Sequence, residues 1–145
     1  MTRPANPDLK NKIRNIAIHE INRKGYTNIN MRDISKKAGI TPTTIYYYYK
    51  NKDDLFLDIK KVSMDKMDEY AFSKIKSTDN PIKKLESLMD SFIDWCLDNP
   101  KISRLIFDQL PNKIDDSLYS KSYYKAIEII EEGKADGYFF VKESE

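Results

Sequence analysis

Apolar residues recur along most of this chain at the spacing of an amphipathic α-helix. Between residues 8 and 24 they fall three or four positions apart, so they share one face of a helix. This face consists of Leu9, Ile13, Ile16, Ala17 and Ile21. The same period returns in residues 51–75, 81–99 and 115–132, and no segment with several strands appears. With the shorter segments described below, the pattern predicts seven helices and an all-α fold.

Proline and glycine residues indicate where the later helices begin and end. Pro81 begins a helix, and a shorter helix after Pro100 closes at Pro111. The helix that starts near Asp115 is expected to stop at Gly133, because glycine commonly follows the last helical residue. The helix from Pro81 has a broad apolar face formed by Ile82, Leu85, Leu88, Met89, Phe92, Ile93 and Cys96. The shorter helix carries Ile102, Leu105, Ile106 and Leu110.

Residues 31–55, MRDISKKAGITPTTIYYYYKNKDDL, form the most informative segment. Asn30 can cap a first helix, and Gly39 supplies the left-handed residue that ends it. Thr41 can then cap a second helix with Pro42 at its first position, where a missing N–H costs nothing. The pattern predicts a helix, a sharp turn and a second helix.

The second helix has an inward and an outward face. At about 100° per residue, Ile45, Tyr49 and Pro42 share the inward face. Thr43 and Tyr47 lie opposite, and Thr44 and Tyr46 flank them. A short helix with an outward side rich in hydroxyl groups suits the major groove of DNA. Two alternatives remain at this point: TTIYYYY has the composition of a buried strand, and a helix-turn-helix can serve packing alone.

The segment from Ile13 to Leu55 resembles the DNA-binding domain of the TetR family of bacterial and archaeal transcriptional regulators. The matching runs, in order, are KGY at 24–26, MRDIS at 31–35, AGIT at 38–41, TIYYYYKNK at 44–52 and DDL at 53–55. The family usually has Phe where this chain has Tyr49, and often His where it has Tyr47. Beyond the first third of the chain, the resemblance extends only to the helical pattern.

The resemblance implies a three-helix DNA-binding head with a helix-turn-helix at residues 1–52, followed by a helical regulatory body at 53–145 that binds ligand and dimerises. It implies a sequence-specific regulator that binds a palindromic operator as a homodimer, most simply a repressor released by a small apolar or amphipathic effector. The long helix after Asn51 would shift the head. Family members usually continue for two further helices that form much of the dimer interface, so we expect the second domain to be incomplete at its C-terminus and to dimerise weakly.

The expected DNA contacts follow from the outward face. We expect Thr43 and Tyr47 to contact base edges, and Asn30 and Arg32 to reach the DNA backbone or a base edge. The expected phosphate contacts are Thr41, Thr44, Tyr46, Tyr48 and Lys52. Pro42 completes the predicted DNA-binding set. Because a cation at a helix start opposes the helix dipole, folding alone does not explain Lys52.

Charge is distributed unevenly along the 145 residues. The net charge is +2, but residues 1–52 contain 11 Lys and Arg against three acidic residues, a charge of +8, and residues 53–145 carry −6. A basic head on an acidic body indicates that the head faces a polyanion.

Other classes of function find little support. There is no phosphate-binding loop, nucleophile elbow, paired-histidine motif or CxxC, so we expect neither an enzyme nor a cofactor. One cysteine, Cys96, and one histidine, His19, make a structural metal site implausible, and His19 is read as an ordinary surface residue. The single cysteine allows no internal disulfide, which suits the cytoplasm, and no segment has the apolar length of a membrane span. A helical ligand-binding or protein-interaction module without DNA binding is the competing function.

A second set of residues is a candidate effector pocket in the body. These large or soft side chains can line a cavity, although residues of this kind are more often plain core. The candidates are Met64, Met67, Phe92, Trp95, Cys96, Phe107, Tyr123 and Tyr124.

Overall fold

The computed structural model describes residues 6–109 and 120–140, and within these the chain is built from α-helices. They are α1 (Pro7–Lys24), α2 (Met31–Ala38), α3 (Pro42–Tyr48), α4 (Lys52–Lys74), α5 (Pro81–Asp98), α6 (Pro100–Arg104) and α7 (Lys121–Ala135). A 3₁₀ turn, Tyr26–Asn28, follows α1, and α6 continues into a π-helical turn, Leu105–Gln109. The predicted all-α fold with seven helices is confirmed for the described residues. The predicted helix end at Pro111 lies outside them, whereas the helix predicted to start near Asp115 begins at Lys121 and is capped by Ser120.

The chain divides into two compact units. The head unit comprises the described residues 6–62 and 100–109, and the body unit comprises 63–99 and 120–140. Helix α4 begins in the head unit and ends in the body unit. The head unit thus extends beyond the domain predicted to end at residue 52, and that functional division stays a prediction.

Local capping chemistry sets the helix boundaries of the head unit. The Asn30 side chain accepts a hydrogen bond from the Asp33 N–H at 2.9 Å and thereby caps α2. Gly39 ends α2 at a φ of 71°, in the left-handed region that favours glycine. The Thr41 hydroxyl accepts from the Thr44 N–H at 3.1 Å and caps α3. The predicted helix, sharp turn and helix are therefore confirmed, and the strand alternative for the tyrosine run is excluded.

One apolar core fills the head unit. Helix α1 contributes Ile13, Ala17 and Ile21, all fully buried, while Leu9 and Ile16 are only partly buried. The other buried members are Ile29, Met31, Ile34, Ala38, Ile45, Tyr49, Leu55, Phe56, Ile59 and Leu105. Each large apolar side chain buried here stabilises the fold by about 1.5–3 kcal/mol. This packing holds α3 against α1, α2 and the first half of α4.

The body unit packs α5 against α7 around a smaller buried cluster of Ala71, Leu88 and Ile129. Asp68, on the second half of α4, is buried and accepts hydrogen bonds from the N–H groups of Lys121 (2.8 Å) and Ser122 (2.9 Å). These are orphan donors of the first turn of α7, so the carboxylate joins α4 to α7.

Two predictions about the body unit are corrected. Gly133 does not end α7, which continues to Ala135; the left-handed glycine is Gly137, with a φ of 75°. Gly133 is required instead for packing, because the Phe139 ring occupies the space that a Cβ at this position would fill. The broad apolar face predicted for α5 is buried only in part: Leu88 is buried, with Ser91 and Trp95 beside it on the buried side, whereas the others are half-buried or exposed. Helical spacing identifies an apolar face but not how much of it a neighbour covers.

None of the helices within the described residues is long and apolar enough to cross a membrane.

Candidate nucleic-acid interface

Helix α3 has one buried and one exposed side. Ile45 is fully buried and Tyr49, the next residue after the helix, is 2% exposed. On the other side Tyr46 is 49% and Tyr47 54% exposed, and Thr43 is also exposed. The inward positions of Ile45 and Tyr49 match the prediction, and so does the outward aromatic and hydroxyl surface.

The inward position predicted for Pro42 is wrong, because this residue is exposed. Counting angles around a helix axis ignores position along that axis. Pro42 is the first residue of α3 and lies before the turn whose Ile45 enters the core. Its membership of the predicted DNA-binding set stays a prediction.

The predicted phosphate contacts at the two ends of α3 already have partners within the chain. The hydroxyls of Thr41 and Thr44 share a hydrogen bond of 2.8 Å. The Tyr48 hydroxyl accepts from the backbone N–H of Asn6 at 3.0 Å, and the Tyr47 and Tyr48 rings meet edge to face at 5.4 Å. These contacts fix the side chains in place, and each hydroxyl retains capacity for a further hydrogen bond.

The start of α2 is also exposed. Asn30, besides capping the helix, donates to the Asp33 carboxylate at 3.2 Å. Arg32 is exposed on the first turn of α2. A guanidinium in this position can reach a phosphate or a base edge, but its contact with DNA stays a prediction.

Lys52 has a role in folding that the sequence analysis missed. Its Nζ donates to the carbonyls of Tyr26 (2.8 Å) and Ile29 (3.3 Å) and lies 4.2 Å from the centre of the Tyr26 ring. The ammonium group therefore fixes the turn between α1 and α2. The premise that folding does not explain this lysine is wrong, while the phosphate contact stays a prediction.

A carboxylate on α4 links three elements of the head unit. Asp58 accepts hydrogen bonds from the Tyr49 hydroxyl at 2.6 Å, from Arg14 Nη1 at 2.7 Å and from Lys10 Nζ at 3.5 Å. Burial and the bond to Asp58 raise the pKa of Tyr49. Burial by itself would raise the pKa of Asp58, but the hydrogen bonds from Tyr49 and Arg14 and the charge of Lys10 outweigh it, and the pKa is lowered. Tyrosine in place of the family's usual phenylalanine was the signal that could have predicted this cluster, because a buried hydroxyl requires a partner.

A second carboxylate joins α1 to α2. Glu20 is 1% exposed, and its oxygens contact Arg23 (2.9 Å), Lys37 and the His19 ring nitrogen Nδ1 (3.2 Å). Hydrogen bonds from Arg23 and Lys37 lower the pKa of Glu20 to about 2, against the opposing effect of burial. Lys37 and Arg23 are themselves about half exposed, so the cluster lies just beneath the basic surface of the head unit. Helical spacing places Arg23 near Glu20, but Lys37 is 17 residues away and could not be predicted.

The candidate effector residues do not form a single group. Met67 and Trp95 are buried in the body unit, Met64 and Cys96 are half-buried, and the others are exposed. Phe107 belongs to the head unit. The described part of the body unit contains a half-open cavity of about 370 Å³ that none of the eight lines. Its lining residues are Phe72, Ile75, Ser77, Lys84, Lys125, Glu128 and Glu132. The predicted pocket stays untested.

This cavity is amphipathic. Phe72 and Ile75 supply its apolar wall. Lys84 pairs with Glu132 at 2.6 Å and Lys125 with Glu128 at 2.7 Å, so both lysines are at the cavity with their charges balanced.

Comparison with known proteins identifies relatives of the chain. Residues 13–59 match the family of bacterial regulatory proteins described as the tetR family. The chain is 33% identical over 78 residues to the transposon Tn10 TetC protein of Escherichia coli, which is 54% of this chain and 39% of that protein. It is 33% identical over 69 residues to the fatty acid metabolism regulator protein of Bacillus subtilis, which is 48% of this chain and 36% of that protein. These matches thus span little more than a third of each relative.

A solved structure extends the similarity beyond the head unit. The fatty acid degradation regulator FadR from Bacillus halodurans superposes with a TM-score of 0.79 at 26% identity, over 95% of this chain and 74% of that one. The helices of the body are therefore arranged as in this regulator.

Proposed function

We propose that the chain is a sequence-specific DNA-binding regulator of transcription in the TetR family of bacterial regulatory proteins, because residues 13–59 match this family and the fold superposes on a solved bacterial regulator. The observation that carries the proposal is the outward face of α3, where Tyr46 and Tyr47 are half exposed on a helix whose other side is in the core. Adjacent exposed aromatic side chains on one helix face form a surface patch of the kind that marks an interaction site. The charge of +8 on residues 1–52 supports a polyanionic partner.

The proposed contacts divide into two kinds. Thr43 and Tyr47 contact base edges, because they lie farthest from Ile45 around the axis of α3. Thr41, Thr44, Tyr46, Tyr48 and Lys52 hold phosphates, and Pro42, Asn30 and Arg32 complete the surface. Phosphate contacts set register and affinity, and base contacts set sequence preference.

We further propose that the protein binds DNA as a homodimer. Helix α3 has only seven residues, and a single module of this size rarely gives tight specific binding. Two copies related by a two-fold axis would place two such helices on half-sites about one helical turn of DNA apart, or a multiple of it, which requires a palindromic operator. Light scattering of the complex with a selected duplex should give two chains per duplex, and one chain per duplex would contradict the proposal.

The effector is proposed to be a small apolar or amphipathic molecule whose binding releases the protein from DNA, so that the protein acts as a repressor in the cytoplasm. The cavity beside Phe72 and Ile75 supports this chemistry, because it offers an apolar wall next to two lysine–glutamate ion pairs. Two of the relatives named above are regulators of fatty acid metabolism or degradation, which favours an acyl compound as the effector. Binding of fatty acids of graded chain length can be followed by calorimetry, and it should weaken with Phe72→Ala.

Genomic SELEX with the whole chain tests the main proposal. We expect enrichment of a palindromic sequence, whose neighbours in the genome identify the regulated genes. Enrichment of no sequence, with no salt-dependent shift of genomic fragments, would instead support the competing function of a helical ligand-binding module without DNA binding.

A further inference from the structure

Tyr49 fixes the end of α3 by a backbone hydrogen bond and by a hydrogen bond from its side chain. Its backbone N–H donates to the Ile45 carbonyl at 3.0 Å, so it belongs to the last turn of the helix. Its ring is 2% exposed, as expected at a position where the family usually has phenylalanine. The ring without its hydroxyl would fill the same space in the core. The additional hydroxyl would cost free energy in this place if it had no partner, and Asp58 provides one at 2.6 Å.

The same carboxylate also holds α1. Arg14, on α1, donates to Asp58 Oδ2 at 2.7 Å, and the two side chains are only 15% and 21% exposed. Because a charge-assisted hydrogen bond from a half-buried guanidinium is short and directional, Arg14 fixes Asp58 itself. The Tyr49 hydroxyl thus meets an acceptor whose position is set by two helices, α1 and α4.

We propose that Asp58 is a positioning residue for the DNA-reading surface, which it orients through the Tyr49 hydroxyl. This inference rests on the proposed function of α3. Within α3 Ile45 is buried, and Tyr48, whose hydroxyl accepts from the Asn6 N–H, is partly buried against the same core. These apolar contacts resist removal of the helix from the core but resist rotation about the helix axis poorly, since apolar contacts are non-directional. The bond from Tyr49, one turn after Ile45, to a carboxylate on α4 fixes the rotation at the end of the helix, and with it the directions of Tyr46 and Tyr47.

The chain contains a matched control for this bond. The Tyr26 hydroxyl also donates to an α4 carboxylate, that of Asp53, and its ring packs edge to face on Phe56 with the ring centres 4.8 Å apart. Tyr26 lies in the turn between α1 and α2 and not at the end of α3. Replacing either tyrosine by phenylalanine removes one hydroxyl-to-carboxylate bond from the head unit and leaves the ring in the core.

The experiment compares wild type, Tyr49→Phe and Tyr26→Phe as whole chains by two measurements. The first is hydrogen exchange of the Tyr49 backbone N–H without DNA. The second is the ratio of affinities for the SELEX-selected duplex and its scrambled version. We expect Tyr49→Phe to speed the exchange and to lower the ratio, each by about ten- to a hundredfold, the range set by one hydrogen bond to a charged acceptor. Tyr26→Phe should change neither the exchange rate nor the affinity ratio, although it should lower the melting temperature about as much as Tyr49→Phe does.

Three results would overturn the inference. They are an unchanged exchange rate in Tyr49→Phe, an unchanged affinity ratio in Tyr49→Phe, and an equal loss of the ratio in both variants, which would indicate general loosening of the head unit. Failure of the proposed function has a different signature, namely a wild-type protein that does not distinguish the selected duplex. Even then the exchange measurement decides whether Asp58 holds α3.

Discussion

The head unit and the body unit differ in what they leave on their surfaces. In the described part of the head unit, most large apolar side chains are buried, and two of the exposed ones, Tyr46 and Tyr47, are adjacent on α3. In the body unit, the single helix α5 has five exposed large apolar side chains, namely Ile82, Met89, Phe92, Ile93 and Leu97. The head unit therefore covers most of its apolar side chains, and the adjacent exposed tyrosines of α3 form the proposed DNA contact. The body unit has an apolar face on α5 that is open to a further contact.

The acidic side chains of α4 form hydrogen bonds within both units, but with different partners. In the head unit, Asp53, Asp54 and Asp58 bond to Tyr26, to the Lys50 N–H (2.9 Å) and to the Tyr49 cluster. In the body unit, Asp68 bonds to the first turn of α7. The carboxylates in the first half of α4 thus bond to residues of the head unit, and Asp68 in the second half bonds to α7 within the body unit.

The largest effect expected from this contrast is on stability. Leu55, fully buried in the head core, and Leu97, 72% exposed on α5, are a matched pair. Leu55→Ala should lower the free energy of unfolding by about 2–5 kcal/mol, and Leu97→Ala should change it by less than about 0.5 kcal/mol. Urea titrations of both variants measure these values. A loss above 2 kcal/mol for Leu97→Ala would mean that α5 is covered in solution.

The close packing of Gly133 against Phe139 should contribute to the stability of the body unit. Gly133→Ala should destabilise the protein by about 1–3 kcal/mol, because the added methyl occupies the space of the Phe139 ring. Thermal melts in the Phe139→Ala background provide the control, since the smaller side chain makes room for the methyl. If Gly133→Ala costs the same in both backgrounds, the contact with Phe139 is not the cause.

Exposed tyrosines of the two units should differ in their effect on DNA binding. Tyr47→Ala should lose about 1–3 kcal/mol of specific binding free energy while the fold stays intact. Tyr124, 56% exposed on α7, is the matched control, and Tyr124→Ala should bind the operator as wild type does. Fluorescence anisotropy measures both variants. Wild-type binding by Tyr47→Ala would show that the outward face is assigned wrongly.

Lys52 should contribute about equally to all DNA sequences. Lys52→Ala should weaken binding to operator and random DNA alike and reduce the slope of log affinity against log salt by about one unit. It should also lower the melting temperature, because two carbonyls between α1 and α2 lose their donor. If only operator binding weakens, Lys52 is a specificity residue.

The smallest expected effect is the pH dependence due to Glu20. Its pKa in the fold is about 2, below the ordinary 4.5, so the ionised group stabilises the fold above about pH 4.5 and this contribution is lost as the pH falls towards 2. The melting temperature of wild type should exceed that of Glu20→Gln at pH 6, and the difference should shrink on acidification. A difference that is independent of pH would exclude the ion pairs as its source.

How far the sequence predicted the molecule depends on the range of each interaction. The caps at Asn30 and Thr41 and the left-handed Gly39 were predictable, because each depends on residues within one turn. The partners of Asp58 and of Glu20 were not, because Tyr49 and Arg14, or Lys37, meet them only after the helices pack. Gly133 was misread for the same reason, since a glycine looks alike in sequence whether it ends a helix or admits a ring.

The most direct test of the central claim, that the outward face of α3 reads DNA sequence, is an anisotropy titration with the SELEX-selected duplex and its scrambled version over a range of salt. We expect the wild-type chain to bind the selected duplex at least about 1,000-fold more tightly than the scrambled one. Both affinities should fall as salt rises. Equal affinity for the two duplexes at every salt concentration would contradict sequence reading by α3.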